Sequence, residues 1–176
     1  MKTLLHLLLI TFFTSEIMVF NFNKNADINK WLITNDDVMG GLSTSKMTLN
    51  TEGNGVFSGT VSLDNNGGFA MTRLPVDLMI DDKKSKIVIK LKGDGKMYQF
   101  RIKSSKNQRY WYIQTFQTTT SWQTIELPLN SFFPSFRGNK LNKDNFSSNT
   151  IKEIAILVGN KKNEAFKLEI EKIVLK

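Results

Sequence analysis

The chain is expected to fold as an all-β protein, an antiparallel two-sheet β-sandwich of jelly-roll type. Three observations lead there. Apolar and polar residues alternate in one short run after another. Strand-forming side chains are abundant, with thirteen Phe, three Trp and three Tyr beside many Ile, Val and Thr. Clusters of Gly, Asn and Asp separate the runs, and no segment sustains a helical period. At 176 residues the chain is long enough for one domain with a substantial core.

The elements follow in order. Met1-Lys2 opens into the apolar run Leu4–Phe13, which is too short to span a bilayer and fits a secretory signal peptide. Cleavage is expected near Ser15, leaving residues 16–176 as a single β-sandwich domain, exported to the periplasm or cell envelope, with no transmembrane segment. An uncleaved anchor is the alternative. Met18, Phe20 and Phe22 should then share one face of a first strand. Val56–Leu63 points Phe57, Val61 and Leu63 inward, and Asp64–Gly68 is a turn. Phe69, Met71 and Arg73 share a face of the next strand. Asp77–Lys84 holds one short turn at most. Lys86–Lys92 carries Ile87, Ile89 and Leu91 inward. Gly93-Asp94-Gly95-Lys96 has hairpin chemistry, with Tyr98, Phe100 and Ile102 answering across it. Tyr110–Thr118 and Trp122–Leu129 are further strands, and Phe132–Gly138 reads as a loop. Ile151–Val158 and Phe166–Ile170 close the core. No internal repeat or linker is visible.

Composition excludes several chemistries. Cysteine is absent, so there is no disulfide, thiolate nucleophile or Cys-ligated metal. The single histidine is His6, inside the leader, so the exported chain would have no imidazole for base catalysis or for most zinc and haem sites. The net charge of +8 comes from twenty Lys and only four Arg. Scattered lysines such as Lys86, Lys90 and Lys92 read as a solvated strand face that discourages edge pairing. A nucleic-acid groove is not expected.

The candidate site residues begin with Asp36 and Asp37, followed by Gly40-Gly41 and, further on, Gly67-Gly68. Glycine pairs mark places where a side chain does not fit or φ is positive. Adjacent carboxylates on a strand point to opposite faces and do not flank one bond. The expectation is that one caps the Gly40-Gly41 turn through backbone N–H groups while the other meets an arginine. Tyr110, Trp111 and Tyr112 form the densest aromatic cluster. Alternation sets Trp111 opposite the two tyrosines, which leaves core packing or an exposed sugar platform open. Trp31 and Trp122 read as core or loop anchors. Asn145-Phe146-Ser147 matches a glycosylation acceptor, a weak signal.

The run Trp31…Asn35-Asp36-Asp37-Val38-Met39-Gly40-Gly41…Ser43 resembles the signature of the complex I intermediate-associated protein 30 family. So do Phe57-Ser58-Gly59, Asn66-Gly67-Gly68-Phe69-Ala70 with Arg73, Trp122 with Leu127-Pro128, and Phe133-Pro134…Phe136-Arg137-Gly138. The resemblance covers roughly Val19 to Leu175. It implies a galactose-binding-domain-like sandwich related in shape to carbohydrate-binding modules. It makes Arg73 and Arg137, both inside matching motifs, the expected arginine partners of the carboxylates. It also raises calcium, for which Asp64, Asn65 and Asn66 offer oxygens without the spacing of a dedicated loop, so no metal is expected. The resemblance implies a non-enzymatic, assembly or chaperone-like module, able to bind unfolded protein, with a protein partner and no cofactor. An extracytoplasmic carbohydrate-binding module is the alternative.

Overall fold

The computed structural model describes residues 16–81 and 84–176. The leader and its cleavage site, and part of the turn expected over Asp77–Lys84, lie outside them. Among the described residues every strand pairing is antiparallel, and the strands form two facing sheets. The six-stranded sheet runs β3 (Thr44–Leu49), β4 (Gly55–Val61), β13 (Glu164–Leu175), β6 (Lys86–Lys92) and β9 (Trp122–Pro128), with β1 (Ile17–Asn21) also on β13. The seven-stranded sheet runs β11 (Asn139–Lys140), β10 (Phe133–Phe136), β8 (Trp111–Gln117), β7 (Met97–Lys103), β12 (Thr150–Val158), β5 (Ala70–Met79) and β2 (Leu32–Asn35). Helical geometry among the described residues is confined to 3-10 turns such as Asp36–Met39 and Asp64–Asn66. No helix among them is long and apolar enough to cross a membrane.

One core fills the space between the sheets. Phe57, Leu168, Ile170, Ile87, Ile89 and Leu91 enter it from the six-stranded side. Tyr98, Phe100, Ile102, Ile154, Ile156 and Leu74 enter it from the other. Each is the inward set of a period-two strand, and burying such side chains contributes about 1.5–3 kcal/mol apiece. Trp31 closes one end, stacked on Phe22 at 5.6 Å and edge-on to Phe20 at 5.5 Å.

Several expectations are corrected. Gly93–Lys96 does not close a hairpin, because β6 and β7 lie in different sheets. The two apolar sets do face each other, but across the core and not along a shared hydrogen-bond ladder. Asp94 fixes this crossing: its carboxylate accepts from the Lys96 and Lys167 amides at 3.2 and 2.9 Å and from the Tyr98 hydroxyl at 3.2 Å. In β1 a bulge between Met18 and Phe20 shifts the register against β13. Ile17, Val19 and Phe20 therefore pack on the core, and Met18 is exposed. Leu63 lies beyond the end of β4 and is exposed. Trp122 is exposed too, because it sits on the outward side of the edge strand β9 opposite Lys92. Phe132–Gly138 is no loop: it carries β10, turned into β11 by Arg137-Gly138 at φ +49° and +82°. Strand β3 escapes sequence reading because Met47 is its only buried side chain.

Candidate functional site

Asp36 brings the two glycine motifs together. It opens the 3-10 turn Asp36–Met39, which ends on Gly40 at φ +84°. Its side chain is buried and accepts four hydrogen bonds. They come from Ser43 Oγ at 2.5 Å, Ser43 N at 3.1 Å, Gly68 N at 2.6 Å and Phe69 N at 3.1 Å. Burial pushes this carboxyl up. The Ser43 hydroxyl and the Gly68, Phe69 and Ser43 amides outweigh that and hold it below 3.8. Both glycine motifs make room for it. A Cβ on Gly41 would lie 2.3 Å from Asp36 Oδ1, and one on Gly67 would lie 2.8 Å from Asp36 Oδ2. Asn65 adds a clasp, donating to the Gly40 carbonyl at 3.1 Å.

Asp37, in contrast, is exposed, so the neighbouring carboxylates occupy different environments. Gly68 adopts φ +143°, where a β-branched residue is strained whatever the space. Gly68→Val is expected to cost about 2–3 kcal/mol in a denaturant melt. A midpoint equal to wild type would contradict this.

The arginines do not meet Asp36, whose acceptors are filled by backbone amides and Ser43. Arg73 on β5 donates from Nη1 to Glu153 Oε1 at 2.7 Å and from Nε to Thr34 Oγ1 at 2.9 Å. Antiparallel pairing accounts for this, since Arg73 stands beside Leu32 of β2 and Ala155 of β12, one row from Glu153. Arg137 is a turn residue whose guanidinium lies 5.4 Å from the Phe136 ring centre. Its positive φ and exposure follow from the two-residue β10–β11 turn. The Asp64–Asn66 turn, raised for calcium, is held by its own contacts, Ser62 Oγ donating to Asp64 Oδ2 at 3.0 Å.

The aromatic cluster divides as alternation requires. Tyr110 and Tyr112 meet edge to face at 5.4 Å with their hydroxyls 3.3 Å apart, and Tyr112 packs on Phe146 at 5.3 Å. Burial, aided by the Tyr110 hydrogen bond, pushes the Tyr112 phenol up to about 12. Trp111 stands on the opposite side, on the outer face of the seven-stranded sheet.

That outer face collects the residues with unspent chemistry. Residues directly opposed in antiparallel strands share a side. Glu153, Lys103, Trp111 and Ser135 therefore form one row across β12, β7, β8 and β10. Arg73, Ala155, Arg101 and Ile113 form the next row, and Met71, Leu157, Gln99 and Thr115 a third. Met71, Ala155 and Leu157 make a small apolar floor, with Phe69 and Trp111 packed on it. Glu153 bridges Arg73 and Lys103, whose Nζ lies 2.9 Å from Oε2. Lys103 Nζ also sits 4.3 Å above the Trp111 ring. Beside this bridge is a shallow depression of about 620 Å³. Arg73, Lys103, Lys106 and Lys152 line it against Asp77 and Glu153, so cations are in excess.

Arg101 occupies the middle of the face. Its fork donates to Gln99 Oε1 from Nε at 3.0 Å and from Nη2 at 2.6 Å. Burial lowers its pKa to about 10. Arg101, Lys103 and Glu153 were not singled out from the sequence. The signal available was the alternation of Gln99, Arg101 and Lys103 opposite the apolar Tyr98, Phe100 and Ile102. Among the described residues no group of three or more His, Cys, Asp or Glu is placed to hold a metal ion.

Comparisons with known proteins bear on the whole arrangement. Residues 20–170 match the family model described as Complex I intermediate-associated protein 30. The mitochondrial complex I intermediate-associated protein 30 of Mus musculus is 27% identical over 144 residues, 69% of this chain and 44% of that protein. Its Drosophila melanogaster counterpart is 27% identical over 143 residues, 69% of this chain and 48% of that protein. The chain thus spans about half the length of the curated relatives it matches. Among solved structures, the Family 11 carbohydrate-binding module of Clostridium thermocellum, in complex with a β-1,3-1,4-mixed-linked tetrasaccharide, superposes with a TM-score of 0.67. It is 21% identical, with 91% of this chain and 94% of that chain covered, which establishes a shared jelly-roll sandwich. With the family model matched across nearly all the described residues, the chain belongs to the complex I intermediate-associated protein 30 family.

Proposed function

We propose that this chain is a non-enzymatic protein-binding module, assembly or chaperone-like in action, that takes its partner on the outer face of the seven-stranded sheet. The observation that carries this reading is the composition of that face. Half-buried Phe69 and Trp111 lie over a buried floor of Met71, Ala155 and Leu157 and are bordered by Arg73, Arg101 and Lys103. Apolar area with a charged border is what a protein partner covers. The family supports it, since the mouse and fly relatives are named for association with an intermediate of complex I. The carboxylate most tempting for catalysis, Asp36, is spent on four protein donors. Export as a single domain over residues 16–176 is part of the same reading and rests on the leader sequence.

A carbohydrate ligand is the second reading, favoured by the half-buried Trp111 on this face and by the sandwich shared with a sugar-binding module. Affinity capture from the native cell envelope, with wild type and Trp111→Ala side by side, separates the two. Proteins retained by wild type and lost with a folded Trp111→Ala variant are the expected result. Retention of a mixed-linkage β-glucan, with the same protein background on both baits, would overturn the protein-binding reading.

A further inference from the structure

We propose that Arg101 anchors a carboxylate side chain of an acidic peptide segment of the partner, laid across the outer face along β7. The inference rests on the reading that this face is the binding face, and adds the chemistry of what binds.

Several strand-borne cations elsewhere on the molecule have counter-ions. On the six-stranded sheet Lys86 pairs with Glu126 at 2.6 Å, Lys90 with Glu171 at 2.6 Å and Lys167 with Glu169 at 2.7 Å. On the seven-stranded sheet Arg73 and Lys103 share Glu153. Arg101 is the exception among the four arginines for being both half-buried and without a carboxylate partner among the described residues. Arg109 and Arg137 are exposed, and Arg73 has Glu153. A desolvated cation with no counter-ion is destabilising, and such groups persist where function needs them. Its loss of proton affinity, with the pKa lowered to about 10, has burial as its cause.

The geometry suits a carboxylate. Gln99 Oε1 holds the Nε and Nη2 side of the fork, which orients the guanidinium and leaves donors on Nη1 and Nη2 unspent. A planar fork held this way is built for a two-point contact with a carboxylate. Lys103, Lys106 and Lys152 add positive charge at the adjoining depression. Lys103 is paired with Glu153 and Lys152 with Asp77, so the excess that a neutral ligand would leave there is smaller than the lysine count and centres on Arg101 and Lys106.

Two features favour a peptide over an acidic polysaccharide. The Trp111 ring already carries the Lys103 ammonium at 4.3 Å, so it does not offer an open platform to a sugar ring. Phe69, half-buried over the floor of Met71, Ala155 and Leu157, leaves apolar surface on the same face, which suits apolar side chains interspersed with carboxylates.

The test is calorimetric titration of the full chain at low salt with three probes: an oligoglutamate peptide containing leucines, its glutamine counterpart, and polygalacturonate. The glutamate peptide is expected to bind, with its glutamine counterpart at least about tenfold weaker. Arg101→Met should weaken the glutamate peptide at least about tenfold and leave the melting temperature equal or higher, since an uncompensated charge is removed. Arg101→Lys keeps the charge without the fork and should fall between the two. Lys46→Met, on the opposite sheet, should stay within about twofold of wild type, which excludes a mere net-charge effect. Equal affinity of wild type and a folded Arg101→Met would overturn the inference. So would binding of polygalacturonate with the glutamate peptide silent. If envelope partners are lost with Trp111→Ala but kept with Arg101→Met, the protein-binding reading stands and the carboxylate anchor falls. If both variants keep every partner, both fall.

Discussion

Asp36→Ala is expected to lower the unfolding free energy by about 3–5 kcal/mol and the melting temperature by roughly 10 °C. The substitution strands the amides of Ser43, Gly68 and Phe69 and the Ser43 hydroxyl, all of which now donate to one buried carboxylate. A buried donor left without an acceptor costs about 1–3 kcal/mol, and partial access of water to the vacated space keeps the sum below full additivity. The effect should depend on pH. The folded pKa of Asp36 lies below 3.8, so its stabilisation is fully present above that value and is lost as pH falls through the folded pKa. Urea melts at pH 7 and near pH 3 should show the gap between wild type and Asp36→Ala narrowing in acid. A constant gap, or none at pH 7, would show that the carboxylate does not hold these loops. Asp36→Asn should be nearly as damaging, because its amide can present hydrogens to groups that are already donors.

Glu153→Leu is expected to cost about 2–4 kcal/mol. Glu153 holds Arg73 at 2.7 Å and Lys103 at 2.9 Å through different carboxylate oxygens, and its own side chain is 12% exposed. Without it two cations stand together on one face. The loss should shrink as salt is raised, because the remaining repulsion is screened while a packing defect is not. Arg73→Met combined with Glu153→Leu should recover much of the loss, since the pair is then replaced by apolar groups. A double variant as unstable as the sum of the two single ones would assign the cost to packing and not to charge.

Much of the sandwich was legible because its central strands are buried on at least one face and must alternate. Tyr98, Phe100 and Ile102 could not be read otherwise, nor could Ile87, Ile89 and Leu91. What alternation does not encode is which sheet a strand joins. Gly93–Lys96 has turn chemistry in either case, so a crossing between sheets looks like a hairpin until Asp94 is seen reaching across to the Lys167 amide. Strands near the sheet edges are the second weakness. Thr44–Leu49 buries only Met47, and the four residues of Phe133–Phe136 are too few to show a period, so neither leaves much pattern.

The candidate site was half legible for a similar reason. Gly40-Gly41 and Gly67-Gly68 stand out in the chain because glycine is a backbone statement. Their common cause, one carboxylate that both loops surround, requires knowing that residues 36 and 68 touch. The partner of Arg73 was not legible because local spacing says nothing about Glu153, eighty residues away. The face around Arg101 left only an alternating polar pattern, which any solvated strand would also leave.

The placement of β13 has a kinetic consequence. This strand lies inside the six-stranded sheet, flanked by β4, β6 and β1, and Ile17 of β1 pairs with Leu175. Of the described strands, β1 leaves the ribosome first and β13 last. Until Glu164–Leu175 emerges, β4 and β6 have no strand between them to pair with. Completion of the six-stranded sheet therefore waits on the last of the described strands. Until then the nascent chain carries unpaired strand edges, open to chaperones, and the contacts that end this interval span nearly the whole described sequence, the topology of a slow folder.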